Sequence, residues 1–289
     1  MTSGNDQRLD LGEGPVWDSV RHQLWWVDSE AGQVFRGDLT DDALVVDRMW
    51  DFGEKVGSVT PADDGGFLVA VERQVLVMNA AGARVDAIDV LPSGQSSRLN
   101  DGACDPVGRF LVGSIRLDDR QAQECLWAVE PDRTVRRVVE GVTVSNGIGF
   151  SPDASTMYYV DTRPGVLLAF DYDSGSGRAA NRRVVSDCGA TPDGLAVDRD
   201  GNVWVAFFGE GEVRCYSPLG EVVDRIRVAV PNVTCPEFVG PDLDRLVITT
   251  ACFRMSDADR AATPEAGAVF VTDMPVAGQP MRGWAGSTS

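Results

Sequence analysis

Leu24-Trp25-Trp26-Val27-Asp28 is the first of six short apolar segments that decide the architecture. The others are Phe67-Leu68-Val69-Ala70-Val71, Phe110-Leu111-Val112-Gly113-Ser114, Met157-Tyr158-Tyr159-Val160-Asp161, Val203-Trp204-Val205-Ala206-Phe207 and Leu246-Val247-Ile248-Thr249-Thr250. Their first residues are separated by 43, 43, 47, 46 and 43 positions. That near-constant interval is too long for most helical repeats and right for a propeller blade. After each segment a polar or Gly-rich turn leads into a second short run, such as Val75–Met78 or Leu126–Val129. A third run, such as Val135–Val139 or Val222–Val228, mixes β-branched and charged residues as an outer strand does. No window of about 11 residues carries a helical apolar stripe, so helices should be few and short. The sequence predicts an all-β, six-bladed β-propeller with four-stranded antiparallel blades, formed by residues 1–289 as one domain. The segment before Leu11 is expected to complete the blade begun near Cys235.

Composition narrows the function. The chain has 289 residues, 43% of them hydrophobic and 24% charged, enough apolar material for a large core. With 44 acidic against 26 basic residues, the net charge of −18 repels phosphate backbones and anionic lipid, so neither nucleic acid nor a membrane surface is an expected partner. Met1–Asp10 has no apolar signal core and no apolar run reaches the roughly 18–20 residues of a spanning helix, which predicts a cytoplasmic location. Six cysteines without a CxxC pair are expected to be reduced. His22, the single histidine, falls in a polar turn, which removes the usual catalytic triads and His-rich zinc sites. Chemistry is left to carboxylates, amides, Arg, Tyr, Cys or a bound metal.

Upstream of each apolar segment lies an inner strand whose start should open onto one face near the propeller axis. Aligning the blades sets Glu13 opposite Val56, Leu99, Asn146, Pro192 and Cys235, with Asn100 and Asp193 displaced by one residue. Four of six inner strands thus begin with Glu, Asn or Asp followed by Gly or Asp. One Asn-Gly or Asp-Gly is an ordinary turn dipeptide, but a set in phase with the blades gathers hard oxygen donors at one place. Two carboxylates and an amide suit Ca²⁺, Mg²⁺ or Mn²⁺, and admit Zn²⁺. Glu237, in the sixth inner strand, either faces the axis or points away.

Leu11-Gly12-Glu13-Gly14-Pro15-Val16-Trp17, Arg98-Leu99-Asn100-Asp101-Gly102, Ser145-Asn146-Gly147 and Pro192-Asp193-Gly194 together resemble, in order and at blade spacing, the gluconolactonase, regucalcin and luciferin-regenerating-enzyme family of six-bladed propellers. The resemblance implies one divalent cation held by Glu13, Asn146 and Asp193, with Arg98 and Asn100 contacting a sugar lactone. It places Asp101 beside the site as an acceptor for substrate or water, and Asp118 or Asp119 in a further acceptor role. The implied reaction is hydrolysis of an aldonolactone to the aldonate in carbohydrate oxidation, with Asp193 as general base. The alternatives are a promiscuous esterase or organophosphate hydrolase using the same cation, a calcium-binding regulatory propeller without turnover, or a scaffold. Neither the lactone, the metal nor the oligomeric state is legible.

Several motifs carry less. Asp171-Tyr172-Asp173-Ser174-Gly175 opens like an EF-hand loop, but Arg182 stands where its bidentate Glu belongs, so a hairpin turn is expected. Gly94-Gln95-Ser96-Ser97 lacks the closing Gly of a nucleophile elbow. Asn232-Val233-Thr234 is a glycosylation sequon only in an exported chain.

Overall fold

The computed structural model describes residues 1–4, 7–40, 43–118 and 123–289. In chain order, β1 (Thr2–Ser3) is followed by blade 1, made of β2 (Gly12–Asp18), β3 (Gln23–Asp28), β4 (Gln33–Leu39) and β5 (Leu44–Asp51). Blade 2 is β6 (Val56–Pro61), β7 (Phe67–Val71), β8 (Gln74–Met78) and β9 (Arg84–Asp89), and blade 3 is β10 (Ser97–Cys104), β11 (Phe110–Arg116), β12 (Glu124–Val129) and β13 (Val135–Val142). Blade 4 is β14 (Ser145–Phe150), β15 (Thr156–Asp161), β16 (Val166–Asp173) and β17 (Arg178–Asp187), and blade 5 is β18 (Pro192–Val197), β19 (Val203–Phe207), β20 (Glu212–Tyr216) and β21 (Val222–Arg227). Blade 6 is β22 (Val233–Val239), β23 (Arg245–Thr250) and β24 (Phe270–Asp273), completed on its outer edge by β1, whose Thr2 and Ser3 pair with Val271 and Phe270. The ring is therefore closed by the N-terminal segment, as the sequence led us to expect. α1 (Asp257–Ala262), capped by the Ser256 hydroxyl on Asp259 N, lies in the β23–β24 connection. Among the described residues no helix is long and apolar enough to cross a membrane.

The six apolar segments are the second strands, β3, β7, β11, β15, β19 and β23. A blade interior is covered on both faces by its neighbours, so these strands are apolar on both sides rather than alternating; β7 and β19 are buried throughout. Aromatic rings fill the gaps between blades, as where Trp25 of blade 1 lies 4.9 Å from Phe67 of blade 2 and Trp204 of blade 5 lies 6.4 Å from Phe238 of blade 6. Outer strands are polar and exposed, β21 along nearly its whole length. His22 is exposed on the β2–β3 turn at φ +55°, and all six cysteines are free.

At the axis the inner strands approach too closely for ordinary side chains. A Cβ on Gly147 of blade 4 would lie 2.8 Å from both Asp193 O and Leu195 N of blade 5. One on Gly12 of blade 1 would lie 2.7 Å from Thr250 O of blade 6, and one on Gly194 of blade 5 would run into Cys235 of blade 6. Neither Gly147 nor Gly194 has positive φ, so these glycines are required by proximity and not by a turn. After β24 the chain crosses the opposite face: Gly278 N donates to Leu243 O, Gln279 Nε2 to Phe150 O, Trp284 N to Pro61 O and Ala285 N to Gly108 O, linking blades 6, 4, 2 and 3. Trp284 is fully buried there. Replacing Gly147 with Ala is expected to lower the unfolding free energy by about 1–3 kcal/mol or more, read as a shifted denaturant midpoint. An unshifted midpoint would mean that blades 4 and 5 have slack at the axis.

Candidate metal and substrate site

Every inner strand carries one extra residue near its start. Where β3 supplies only Trp26, β2 supplies Gly14 and Pro15 between its Glu13 and Val16 pairings. The same mismatch places Asn100 and Asp101 opposite Gly113, Asn146 and Gly147 opposite Val160, and Asp193 and Gly194 opposite Ala206. β6 and β22 bulge at Gly57 and Thr234. A bulge releases its residues from the ladder and re-aims their side chains, which is why such irregularities gather beside active sites. Asn100, Asp101, Asn146 and Asp193 lie within these bulges, and Glu13 borders one. The one-residue offset of Asn100 and Asp193 in the sequence alignment of the blades is absorbed by this irregularity.

Glu13, Asp101 and Asp193 come from blades 1, 3 and 5 and converge. Burial is the main cause that pushes the Glu13 carboxyl well above its ordinary range, and the charges of Asp193 and Asp101 push it further; Gly14 N, at 3.2 Å, opposes the shift. Asp193 is raised by burial and then by Asp101. Asp101 is pushed up to about 6 by burial, opposed by the 2.8 Å bond from Gly102 N. None of the three has an ion-pair partner among the described residues. Arg98, only 8% exposed, supplies the attraction nearest to hand and is itself shifted down by burial, against the pull of Glu30, Glu13 and Glu72.

Hydrogen bonds join the polar residues of blades 3 and 4. Arg98 Nη1 donates to Asn100 Oδ1 (3.0 Å) and to Leu99 O (2.9 Å). Asn100 Nδ2 donates to Ser145 O (2.9 Å) and Asn146 Oδ1 (2.8 Å), and Asn146 Nδ2 donates to Thr162 Oγ1 (2.7 Å). The acids that end two of the apolar segments brace the strands carrying these residues. Asp28 accepts from Asp10 N (2.7 Å) and Leu11 N (3.1 Å) just before Glu13, and Asp161 accepts from Thr143 N and Val144 N just before Asn146. Sequence reasoning passed over Thr162, Asp28 and Asp161, although the recurring Val-Asp at Val27-Asp28 and Val160-Asp161 was a usable signal.

Other expectations fall differently. Asp118 is bound to Arg116 at 2.6 Å on the partly exposed rim, and Arg116 also lies 3.6 Å from Glu124. Asp119 lies outside the described residues. Asp173 Oδ1 accepts from Gly175 N in a β16–β17 hairpin, as its sequence implied. Glu237 faces the axis: it lines a cavity of about 450 Å³ together with Asp101, Cys235, Phe238 and the crossing segment at Gln279 and Met281. Burial pushes its carboxyl up to about 8, against a bond from the Trp17 backbone. Glu13, Asn146 and Asp193 do not line this cavity, whereas Asp101 belongs to both it and the acid cluster.

The donor set fits a hard divalent cation. Asp101 and Asp193, both buried, and Glu13, half-buried, lack ion-pair partners among the described residues and so favour a bound proton or cation, and the amide oxygen of Asn146 is a neutral donor type. Among the described residues no three His, Cys, Asp or Glu side chains form a ligand group by themselves.

Fold and site together define a six-bladed propeller with a carboxylate- and amide-lined axial site. The chain belongs to the SMP-30/gluconolactonase/LRE-like family, whose model matches residues 11–252. It is 32% identical to regucalcin of Danio rerio over 97% of this chain and 96% of that one. It is 35% identical to the 6-deoxy-6-sulfogluconolactonase of Pseudomonas putida over 93% and 92% of the two chains. In structure it superposes on the regucalcin of Agrobacterium tumefaciens, described as a calcium-binding protein, with a TM-score of 0.90 at 24% identity, covering 98% and 96% of the two chains.

The raised carboxyls set the pH dependence of the metal-free protein. Each binds its proton more tightly folded than unfolded, so unfolding releases protons and stability falls as pH rises. For Glu237 the window runs from its ordinary value of 4.5 to about 8, and for Asp101 from 3.8 to about 6. Denaturant midpoints of chelator-treated protein are expected to be higher near pH 5 than near pH 8, with a shallower slope in Glu237→Gln. A midpoint that rises over this range would overturn the assignment of these groups as buried and uncompensated.

Proposed function

We propose that the chain hydrolyses sugar lactones to the corresponding hydroxy acids, with one divalent cation held by Glu13, Asn146 and Asp193. The observation that carries this reading is the convergence of the buried Asp101 and Asp193 with the half-buried Glu13, none of them ion-paired among the described residues, beside the buried guanidinium of Arg98, in a family that includes lactonases. When bound, such a cation supplies Lewis acidity toward the lactone carbonyl and lowers the pKa of water at the site.

The chain's own groups supply the rest. Asp193 takes a proton from the attacking water as its oxygen bonds to the acyl carbon. The ring C–O bond then breaks, and the proton held on Asp193 passes to the departing alkoxide, so the net change is addition of one water. Arg98 donates to the polyol or acyl oxygens and fixes the ring in register, while Asp101 accepts from its hydroxyls. Asp118 serves, in this reading, as a rim acceptor once its bond to Arg116 yields. The six free cysteines support a reducing, cytoplasmic compartment.

Two readings of substrate charge compete. The net charge of −18 favours a neutral aldonolactone, and Lys55, the only lysine, is already engaged by Glu30 at 2.7 Å. The Pseudomonas putida relative is named for a sulfonated lactone, which favours an anionic one. Comparing kcat/KM for gluconolactone and its 6-phosphate at low and moderate salt decides between them. The neutral compound is expected to be preferred, with the gap narrowing as salt screens the field.

Turnover of a lactone panel with and without chelator separates a lactonase from a propeller that binds a cation without catalysis. Arg98→Ala is expected mainly to raise KM, because its contacts are similar in ground and transition states. Asp193→Asn should abolish turnover, since an amide cannot accept the proton. Retention of more than a tenth of the wild-type rate by Asp193→Asn at saturating cation would place the base elsewhere.

A further inference from the structure

The polar chain across blades 3 and 4 has a direction, and the direction is fixed at one end by chemistry. A guanidinium only donates, so the atom of Asn100 that faces Arg98 Nη1 at 3.0 Å must be its oxygen. The Asn100 amide nitrogen is then turned toward blade 4, where both its hydrogens are used, one on Ser145 O at 2.9 Å and one on Asn146 Oδ1 at 2.8 Å. Ser145 O only accepts and fixes the same orientation independently. Turning Asn146 over would set its nitrogen against the Asn100 donor, so Asn146 offers its oxygen on this side and its nitrogen to Thr162 Oγ1 at 2.7 Å. Thr162 is itself held at both backbone ends, its N–H on Val144 O and its carbonyl accepting from Gly165 N, each at 3.0 Å. Its backbone is therefore held, and its hydroxyl stands 2.7 Å from Asn146 Nδ2.

We infer that Thr162 and Asn100 are positioning residues that clamp the Asn146 amide from opposite sides, so that its oxygen and not its nitrogen is presented to the cation. An amide free to turn would present a nitrogen that cannot serve as a ligand for half its orientations, and a carboxylate at that position would add a fourth negative charge to the cluster. The chain also changes the part played by Asn100. With both amide hydrogens committed within the protein, only one lone pair of its oxygen is left for a substrate hydroxyl, so Asn100 acts chiefly on Asn146. The inference rests on the assignment of Asn146 as a cation ligand made under Proposed function.

The test is a calorimetric titration of the chelator-treated full chain with Ca²⁺ and with Mn²⁺, comparing wild type, Asn146→Ala, Thr162→Val and Thr162→Ser. Thr162→Val keeps the shape and both backbone bonds and removes only the hydroxyl. It is expected to weaken cation binding by about 10- to 100-fold, the usual effect of losing a group that orients a metal ligand. Thr162→Ser should restore wild-type affinity, which a purely packing role of Thr162 would not require. Lactone turnover by Thr162→Val should recover as cation concentration is raised. If Thr162→Val binds cation as wild type does while Asn146→Ala does not, the clamp is refuted and the site stands. If Asn146→Ala itself retains wild-type affinity, the ligand assignment falls first. Should Thr162→Val fail to fold, Thr162→Ala carries the same expectation and the same refutation.

Discussion

The closeness of six inner strands around one axis is the constraint on which the rest depends. Backbone from blade 5 sits where the side chain of residue 147 would be, and the Cys235 side chain sits where that of residue 194 would be, so glycine is the residue that fits. The same crowding leaves no room for six regular strand starts side by side. Each inner strand sheds one residue from its ladder, and glycine recurs at these irregularities, as Gly14, Gly57, Gly147 and Gly194, beside Asn100 and Asp101 in blade 3 and Thr234 in blade 6. Packing geometry thus places polar side chains at the mouth before any function is asked of them.

Electrostatics follows from that placement. Burial alone makes a carboxylate costly, and three that converge are costlier, which is why burial heads the causes of every upward shift in the cluster, with the mutual charges next for Glu13 and Asp193. Nearby arginines do not relieve the repulsion by pairing directly. Arg98 has burial working against its own charge and spends Nη1 on Leu99 O and Asn100 Oδ1. Neutralisation is left to protons or to a cation, and the two compete for the same oxygens. A fold that had only to be stable would have replaced this cluster with apolar residues.

Much of this was legible in the sequence because it repeats. Apolar segments about a blade apart fixed strand number and order, and Glu13 and Asp193, in phase in the sequence, act on each other's charge in space, while Asn146 is bonded to Asn100 and Thr162. Residues that act once, without a repeat, were illegible. Thr162 lies in a connection after β15 and matters only through Asn146 Nδ2, a contact no spacing rule anticipates. The orientation of Glu237 was undecidable because a strand residue faces either way, and the bulge at Thr234 shifts the alternation of β22. The Asn-Gly and Asp-Gly dipeptides were ambiguous for a physical reason: glycine serves a turn and a close approach equally well, and only the φ values distinguish them.

The two ends of the axis are chemically unlike, and the difference bears on where charge collects. The C-terminal segment crosses the face where the inner strands finish, and the cavity above it is walled by Val16, Ile148, Leu195 and Phe238. Glu237 and Asp105 are both buried in that half; Asp105 is ion-paired with Arg109 at 2.9 Å, while Glu237, with its pKa pushed up to about 8, carries its proton at neutral pH. It therefore adds almost nothing to the repulsion among Glu13, Asp101 and Asp193. Asp101, at about 6, is mostly ionised under the same conditions and lies where the two halves meet. The strand-start end is thus where the carboxyls raise one another, and a cation entering the axis meets there the acids whose mutual repulsion it would relieve. Mutual repulsion among acids, and not acid content alone, is what distinguishes the strand-start end from the cavity end.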